Sequence, residues 1–335
     1  MAIKVLRNRL RPLALLAAAL VFNFGPGASE LLAQGAWPNR PLRIIVPLTT
    51  GGSNDVLARI IADRLTPALG QPVLVENRPG AGGIVGTDYV AKQPGDGYTI
   101  LIASASHAYQ QYFVSKLPFD PVRDFEPITL AAIVPFVLTV NAELPAATAK
   151  DFIALARSRQ KGLTFGTAGV SSPHQLGAEW LKSMTGASFV HVPYKGAAGI
   201  VPALLAGEID FTIGAINSLL PHIRSGKLRA LSVASNKRTP LLPDVPTIAE
   251  AVPAPGYGMD VWVGFFASKG TPKEVIARLN MEINRILRDP QIVADKLTPL
   301  GIDVVTSTPE RFAEVLRSDL ALYEKVIKDA NIKPE

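Results

Sequence analysis

Apolar residues fall along this chain in two alternating rhythms. Arg43-Ile44-Ile45-Val46-Pro47 reads as a short strand, and Thr49-Thr50-Gly51-Gly52-Ser53 as a loop. Leu57, Ile60, Ile61 and Leu65 then recur at helical spacing, with Ser53 or Asn54 as the expected N-cap. Val73 to Glu76 is the next strand, Arg78-Pro79-Gly80-Ala81-Gly82-Gly83 the next loop, and a helix to about Gln93 leads to strand Tyr98–Ala103. The rhythm returns further on. Strands are expected at Phe136–Val140, Leu163–Gly166, Phe189–Val192, Ile209–Gly214, Leu228–Ala234 and Val261–Ala267. Helices are expected at Ala149–Gln160, Pro173–Met184, Ala197–Ala206, Thr271–Arg288 and about 309–329. Strands separated by amphipathic helices predict α/β architecture, a parallel sheet with helices on both faces. Two such units predict two lobes with a cleft between them. The expected division is 36–132 with 235–335 as lobe 1 and 133–234 as lobe 2, the hinge lying near 130–135 and 230–236.

The N-terminus follows a different pattern. Lys4, Arg7, Arg9 and Arg11 precede an apolar run from Leu13 to Phe24, and small residues follow to Ala33-Gln34-Gly35-Ala36. That order predicts a secretory signal peptide over 1–35, cleaved near Gly35/Ala36. The run is too short for a bilayer core about 30 Å thick, which needs roughly 20 apolar residues. Cleavage would remove four basic residues and Glu30, taking the formal charge from +6 to +3. No Lys/Arg cluster interleaved with aromatics remains, so nucleic acid is not an expected partner. The chain contains no cysteine, which excludes disulfides, thiolate metal sites and a lipid-modified N-terminal cysteine. Export without such an anchor makes the periplasm the expected compartment.

The chemistry-bearing loops lie at strand ends, where parallel α/β sheets gather their ligands. In Leu48-Thr49-Thr50-Gly51-Gly52-Ser53-Asn54-Asp55, two glycines before a helix let backbone N–H groups approach an anion, and hydroxyls add further donors. It is neither a Walker loop nor a dinucleotide fingerprint. The Arg78–Gly83 loop either admits a ligand or makes a tight turn. Thr167-Ala168-Gly169-Val170-Ser171-Ser172-Pro173-His174 opens another helix, with serines placed to cap it. His191-Val192-Pro193-Tyr194-Lys195-Gly196 sets an aromatic ring and a cation beside glycine. The four histidines (107, 174, 191, 222) lack metal-ligand spacing, no H-E-x-x-H or G-x-S-x-G occurs, and Asp55 and Asp210 have no visible acid–base partner. The inventory points away from catalysis: no catalytic residue, metal or cofactor is expected.

Gly51-Gly52-Ser53-Asn54-Asp55 followed by Ala58-Arg59 resembles the first motif of the Bug-type periplasmic solute receptors of tripartite tricarboxylate transporters. Glu76–Gly83 and Gly95-Asp96-Gly97-Tyr98-Thr99 resemble the next two. Phe119-Asp120-Pro121 with Asp124-Phe125, His191–Gly196, Gly226-Lys227-Leu228-Arg229-Ala230 and Leu242-Pro243-Asp244-Val245-Pro246-Thr247 complete the set, from about Trp37 to the C-terminus. The resemblance implies a type II periplasmic-binding-protein fold. It implies a monomer that closes on a small organic carboxylate (a di- or tricarboxylate, an amino acid or an aromatic acid) and hands it to a permease of large and small subunits. It implies a ligand held by amides and hydroxyls: Thr49, Thr50, Gly52, Ser53, Asn54, Gly83 and Ser104 from one lobe, and Thr167, Gly169, Ser171, His174, Tyr194 and Lys195 from the other. Family members usually carry an aromatic ring ahead of the paired glycines, where this chain has Leu48-Thr49-Thr50. The same pocket would serve a receptor that presents its ligand to a membrane signalling partner, and the same fold an exported hydrolase or transferase.

Overall fold

A computed structural model describes residues 37–332, so the expected leader over 1–35 lies outside the described residues. Eleven strands among those residues form two sheets. The first holds β1 (Leu42–Val46), β2 (Val73–Asn77), β3 (Thr99–Ser104), β4 (Phe125–Val134), β10 (Val261–Ser268) and β11 (Asp303–Val304), in the order β11-β4-β10-β3-β1-β2. The second holds β5 (Phe136–Asn141), β6 (Leu163–Thr167), β7 (Phe189–Pro193), β8 (Phe211–Ala215) and β9 (Leu228–Val233), in the order β7-β6-β8-β5-β9. Both belong to one compact unit beginning at Arg40.

The helices among the described residues are α1 (Ser53–Leu69), α2 (Ile84–Ala91), α3 (Ser106–Tyr109), α4 (Ala149–Ser158), α5 (Pro173–Thr185), α6 (Ile200–Leu205), α7 (Ile216–Arg224), α8 (Ile248–Ala251), α9 (Lys273–Leu287), α10 (Pro290–Ile292) and α11 (Pro309–Asp329). In α1 the apolar stripe Leu57, Ala58, Ile61 and Leu65 is buried against the first sheet, whose Ile44, Ile45 and Val46 are fully enclosed. Each such leucine, isoleucine or valine contributes roughly 1.5–3 kcal/mol relative to exposure. The second sheet is backed by rings. Phe211 packs against Phe189 at 4.7 Å and Phe152 at 4.8 Å, and Phe165 at 5.6 Å.

The structure departs from the sequence reading in four respects. The sheets are mixed rather than parallel: β10 runs antiparallel to β3 and β4, and β5 antiparallel to β8 and β9. Strand β4 was not legible, because Pro127 interrupts its sequence. Pro127 pairs with Phe266 where the register slips, between Phe265 and Phe266, which is where a ladder tolerates a residue without an N–H. Helix α7 also escaped the pattern. The helix expected over 197–206 is in fact a single 3₁₀ turn, Ala197–Gly199, leading into the shorter α6.

Strands β4 and β5 are joined through Pro135 alone, so the chain passes from one sheet to the other within a residue. The return follows β9, where Ala234 donates to Phe136 O and accepts from Met259 N–H. The cavity described next opens beside these crossings.

Candidate functional site

The loop after β1 is fixed from below by Asp55, in the first turn of α1. Its carboxylate accepts from Gly51 N–H (3.0 Å), from Arg59 Nε and Nη2 (3.1 and 2.9 Å) and from Asn77 Nδ2 (3.0 Å), which also donates to Leu48 O. Burial pushes the Asp55 pKa up, but the Arg59 guanidinium, the Gly51 amide and Asn77 outweigh it and hold the group below the usual carboxylate value. The resemblance to the family's first two motifs thus includes a brace: Asp55, Arg59 and Asn77 shape the Gly51-Gly52 turn.

With the loop held so, α1 starts after Gly52 with no side-chain cap. The serine and asparagine expected to cap it do other things. Ser53 Oγ donates to Asn217 Oδ1 at the start of α7 (2.9 Å), and Asn54 Nδ2 is buried without a protein partner. Helix α5 repeats the arrangement. Ser172 is its N-cap residue, yet makes no cap bond, and its buried Oγ and the Nδ1 of His174 have no protein partner. Helix α7 starts after Ala215, which offers no cap, and places Asn217 and Ser218 in its first turn. Each helix start carries roughly half a positive elementary charge, although Ile216 N–H of α7 donates to Pro135 O and Gln175 N–H of α5 to Ser172 O.

All three starts open on one cavity of about 260 Å³. That lies just under the about 300–1,000 Å³ of pockets for drug-sized ligands, so the space suits a metabolite. Its polar wall is made by residues 49–55, Gly82, Ser104, Ser106, Ser172, His174, Asn217 and Ser218. Its apolar wall includes Val134, Phe136, Val201, Val261 and Val263. The His174 ring packs edge-on to Phe136 at 5.1 Å, and burial lowers its pKa to about 4, so it is neutral at pH 7. No lysine or arginine among the described residues lines the cavity.

Glycines set how closely the two sides approach. A Cβ on Gly82, whose φ is +64°, would stand 2.1 Å from Val170 O and 2.9 Å from Ser171 Oγ, and one on Gly196 would stand 2.3 Å from Thr49 Oγ1. Loops after β2 and β6, and after β1 and β7, therefore approach each other closely at Gly82 and Gly196.

Of the residues nominated from sequence, Thr49, Thr50, Gly52, Ser53, Asn54, Ser104 and His174 line the cavity. Gly83 lies behind it, in a small adjoining space shared with Asn54 and Ser104. Thr167, Gly169, Ser171, Tyr194 and Lys195 are not on the wall. The Thr167 hydroxyl is occupied with Gly169 and with His191 Nε2 at 2.6 Å. Ser171 is buried at φ +60°, its N–H donating to Gln175 Oε1. Tyr194 packs on the cluster around Ile200 and Leu204, and Lys195 is exposed. Sequence reasoning missed Ser106, Ser172, Asn217, Ser218 and the apolar wall. The spacing of Ile216, Leu219, Leu220 and Ile223 carried the signal for α7, but Pro221 masks it. No group of side chains suited to hold a metal ion occurs among the described residues.

Two sheets meeting over a cleft, with helix starts converging from both sides, define a type II periplasmic-binding-protein fold with two lobes. Within that class, residues 57–332 match the tripartite tricarboxylate transporter family receptor, TctC, and the chain belongs to that family. It is 40% identical over 292 residues to a protein encoded in the tcbD–tcbE intergenic region of Pseudomonas sp. (strain P51), covering 87% of each. It is 34% identical to BugT of Bordetella pertussis, over 95% of this chain and 98% of that one. Among solved structures it is similar to an R. palustris protein with adipate (36% identity, TM-score 0.85, covering 89% of this chain and 100% of that one). It is similar also to MatC from Rhodopseudomonas palustris with bound malate (31%, TM-score 0.82, covering 87% and 100%).

Proposed function

We propose that this protein is an extracytoplasmic solute receptor. It binds a small organic carboxylate between its lobes without chemistry and delivers it to a tripartite-tricarboxylate-type permease of large and small subunits. The observation that carries this reading is the convergence of three uncapped helix starts, with buried polar atoms of Asn54, Ser172 and His174 lacking protein partners, on a cavity with no lysine or arginine among its described lining residues. A buried polar group left unpaired costs about 1–3 kcal/mol, so a set of them on one wall points to a partner from outside the chain. Helix starts and neutral donors suit a carboxylate.

The family and the adipate- and malate-bound relatives support the substrate class. The periplasmic-binding-protein relative BugD supports a periplasmic location for a monomer exported by the 1–35 leader, and no helix of the described residues is long and apolar enough to cross a membrane. In this reading 36–132 with 235–335 form lobe 1 and 133–234 lobe 2. Rotation near 130–135 and 230–236 opens the contacts at Gly82, Gly196 and Ser53, and the ligand favours the closed form only as far as it binds that form better.

The test is calorimetric titration of the protein lacking residues 1–35 with a panel of mono-, di- and tricarboxylates, paired with thermal unfolding. A ligand at a hundredfold excess over its Kd stabilises the folded state by about 2.7 kcal/mol. A one-to-one heat with a matching rise in Tm supports the receptor reading. No binding by any acid, or steady turnover of one, contradicts it.

A further inference from the structure

We propose that Asp319 of α11, set against the face of β10 that looks away from the cavity, is a positioning residue for the cavity wall and acts through the Trp262 indole; this rests on the reading of the cavity as a carboxylate site.

Asp319 interrupts an apolar stripe. Phe312, Leu316, Tyr323, Val326 and Ile327 are the buried residues of α11, and Asp319 falls between Leu316 and Tyr323 at the same helical spacing. It is half-buried, and among the described residues no cation acts on it. Burial pushes its pKa up, the Trp262 N–H offsets part of the rise, and the Asp260 carboxylate adds to it, to about 6. Tyr109 of α3 and Tyr323 also face it, and both are buried. The carboxylates on other elements packed against α11 are engaged elsewhere. Glu126 of β4 accepts from Gly270 N–H, Glu179 of α5 pairs with Lys182, and Glu282 of α9 pairs with Arg278 and Arg285. A carboxylate without a counter-charge is costly to take from water, so its place in the stripe needs a reason.

The reason is what it holds. Trp262 Nε1–H donates to Asp319 Oδ2 at 2.5 Å, and the indole meets the Phe312 ring edge-on at 5.2 Å. Side chains alternate along a strand, so Trp262 faces α11 while its neighbours Val261 and Val263 face the cavity. The Trp262 carbonyl accepts from Ala105 N–H at 3.1 Å, and Val263 is the register partner of Ser104. The residue that Asp319 fixes is therefore bonded to the corner that puts Ser104 and Ser106 on the wall. Helix α11 reaches the same corner a second time. Tyr323 packs at 4.9 Å on Tyr109, which ends the short helix that Ser106 begins.

Apolar packing alone would seat α11 without fixing the indole. A Cβ on Gly264 would stand 2.2 Å from Phe312 Cζ, so helix and strand already press together there. Ring packing tolerates small rotations of a side chain, whereas a hydrogen bond to Nε1 is directional and selects one setting.

Calorimetry with adipate, or with the tightest acid of the panel if adipate does not bind, tests this. Asp319→Asn keeps an acceptor for the indole without the charge, and should bind within about threefold of wild type. Asp319→Leu fills the stripe but accepts nothing, and should bind roughly tenfold more weakly or worse. Trp262→Phe should lose as much, and adding Asp319→Leu to it should lose no more, because the effect passes through the indole. Wild-type affinity in Asp319→Leu, or additive losses in the double variant, would overturn the proposal and leave the receptor reading standing. No acid binding to the wild type would overturn both. Tryptophan fluorescence of the ligand-free protein gives a second readout. Wild-type emission should change in a step with its midpoint near pH 6, and that step should be missing from Asp319→Asn. The same step in both proteins, or in neither, would overturn the Asp319–Trp262 pairing on which the positioning depends.

Discussion

Two sets of helix starts in this molecule are built differently. Helices α4 and α8 begin with complete capping boxes: Thr148 accepts from Asp151 N–H while Asp151 reaches back to the Thr148 amide, and Thr247 and Glu250 do the same. Helices α10 and α11 are capped by Asp289 and Thr308. None of these four caps lies on the cavity. At the cavity, α1, α5 and α7 start on Gly52, Ser172 and Ala215 with no cap bond, although serines and an asparagine are at hand. The first set closes its hydrogen bonds within the chain and gains stability. The second leaves amides and side-chain atoms open toward a space about the size of a metabolite, which is stability forgone for binding.

The comparison can be broken most severely at the cleft. Gly82→Ala puts a Cβ against Val170 O at a left-handed φ, so the lobes should no longer meet there. Carboxylate binding should fall below detection while the far-UV circular dichroism stays native. Wild-type affinity in that variant would show that this contact is not part of the bound state.

Acid should come next. His174 on the cavity and His107 in the core, where Nε2–H donates to Pro121 O, both have pKa values depressed to about 4 by burial. The unfolded chain takes up protons first, near the ordinary value of 6.5. The stability these neutral rings contribute is therefore complete above pH 6.5 and is lost as pH falls toward about 4, by up to about 1.4 kcal/mol per histidine per pH unit. Urea unfolding at pH 7, 6 and 5 should show this fall, and His174→Gln should remove about half of the slope. An unchanged slope would mean that His174 is already charged in the folded state.

The two sets of starts separate cleanly in a pair of variants. Asn54→Leu deletes a buried donor with no protein partner, so Tm should not fall, whereas carboxylate affinity should drop by roughly 10- to 150-fold, the worth of a hydrogen bond to a charged group at about 1.5–3 kcal/mol. Thr148→Ala deletes a cap bond remote from the cavity. It should cost about 1 kcal/mol of stability and leave affinity unchanged. The opposite outcome in either variant would dissolve the distinction.

The sequence already revealed the strand–helix rhythm, because short β-branched runs such as Ile44-Ile45-Val46 and stripes such as Leu57-Ile61-Leu65 are local signals. It revealed the loops at the strand ends for the same reason. Strand direction is not local: Val263 and Ser104 are register partners across nearly half the chain, so the mixed sheets and the apolar wall they build were hidden. The division of labour among hydroxyls was hidden too. Thr167 and Thr50 look alike as nominees. Yet Thr167 is spent on His191 and Gly169, while Thr50 is on the wall, and only the packing decides which. Ser172 looked like a cap and is instead an open group.

The most direct measurement is a crystal structure of the protein with its tightest-binding carboxylate. The account predicts carboxylate oxygens about 3 Å from main-chain N–H groups at the starts of α1 and α5, with Asn54 Nδ2 and Ser172 Oγ among the donors and no lysine or arginine in contact. A carboxylate paired with Lys195 or Arg59, or seated away from the three helix starts, would contradict it.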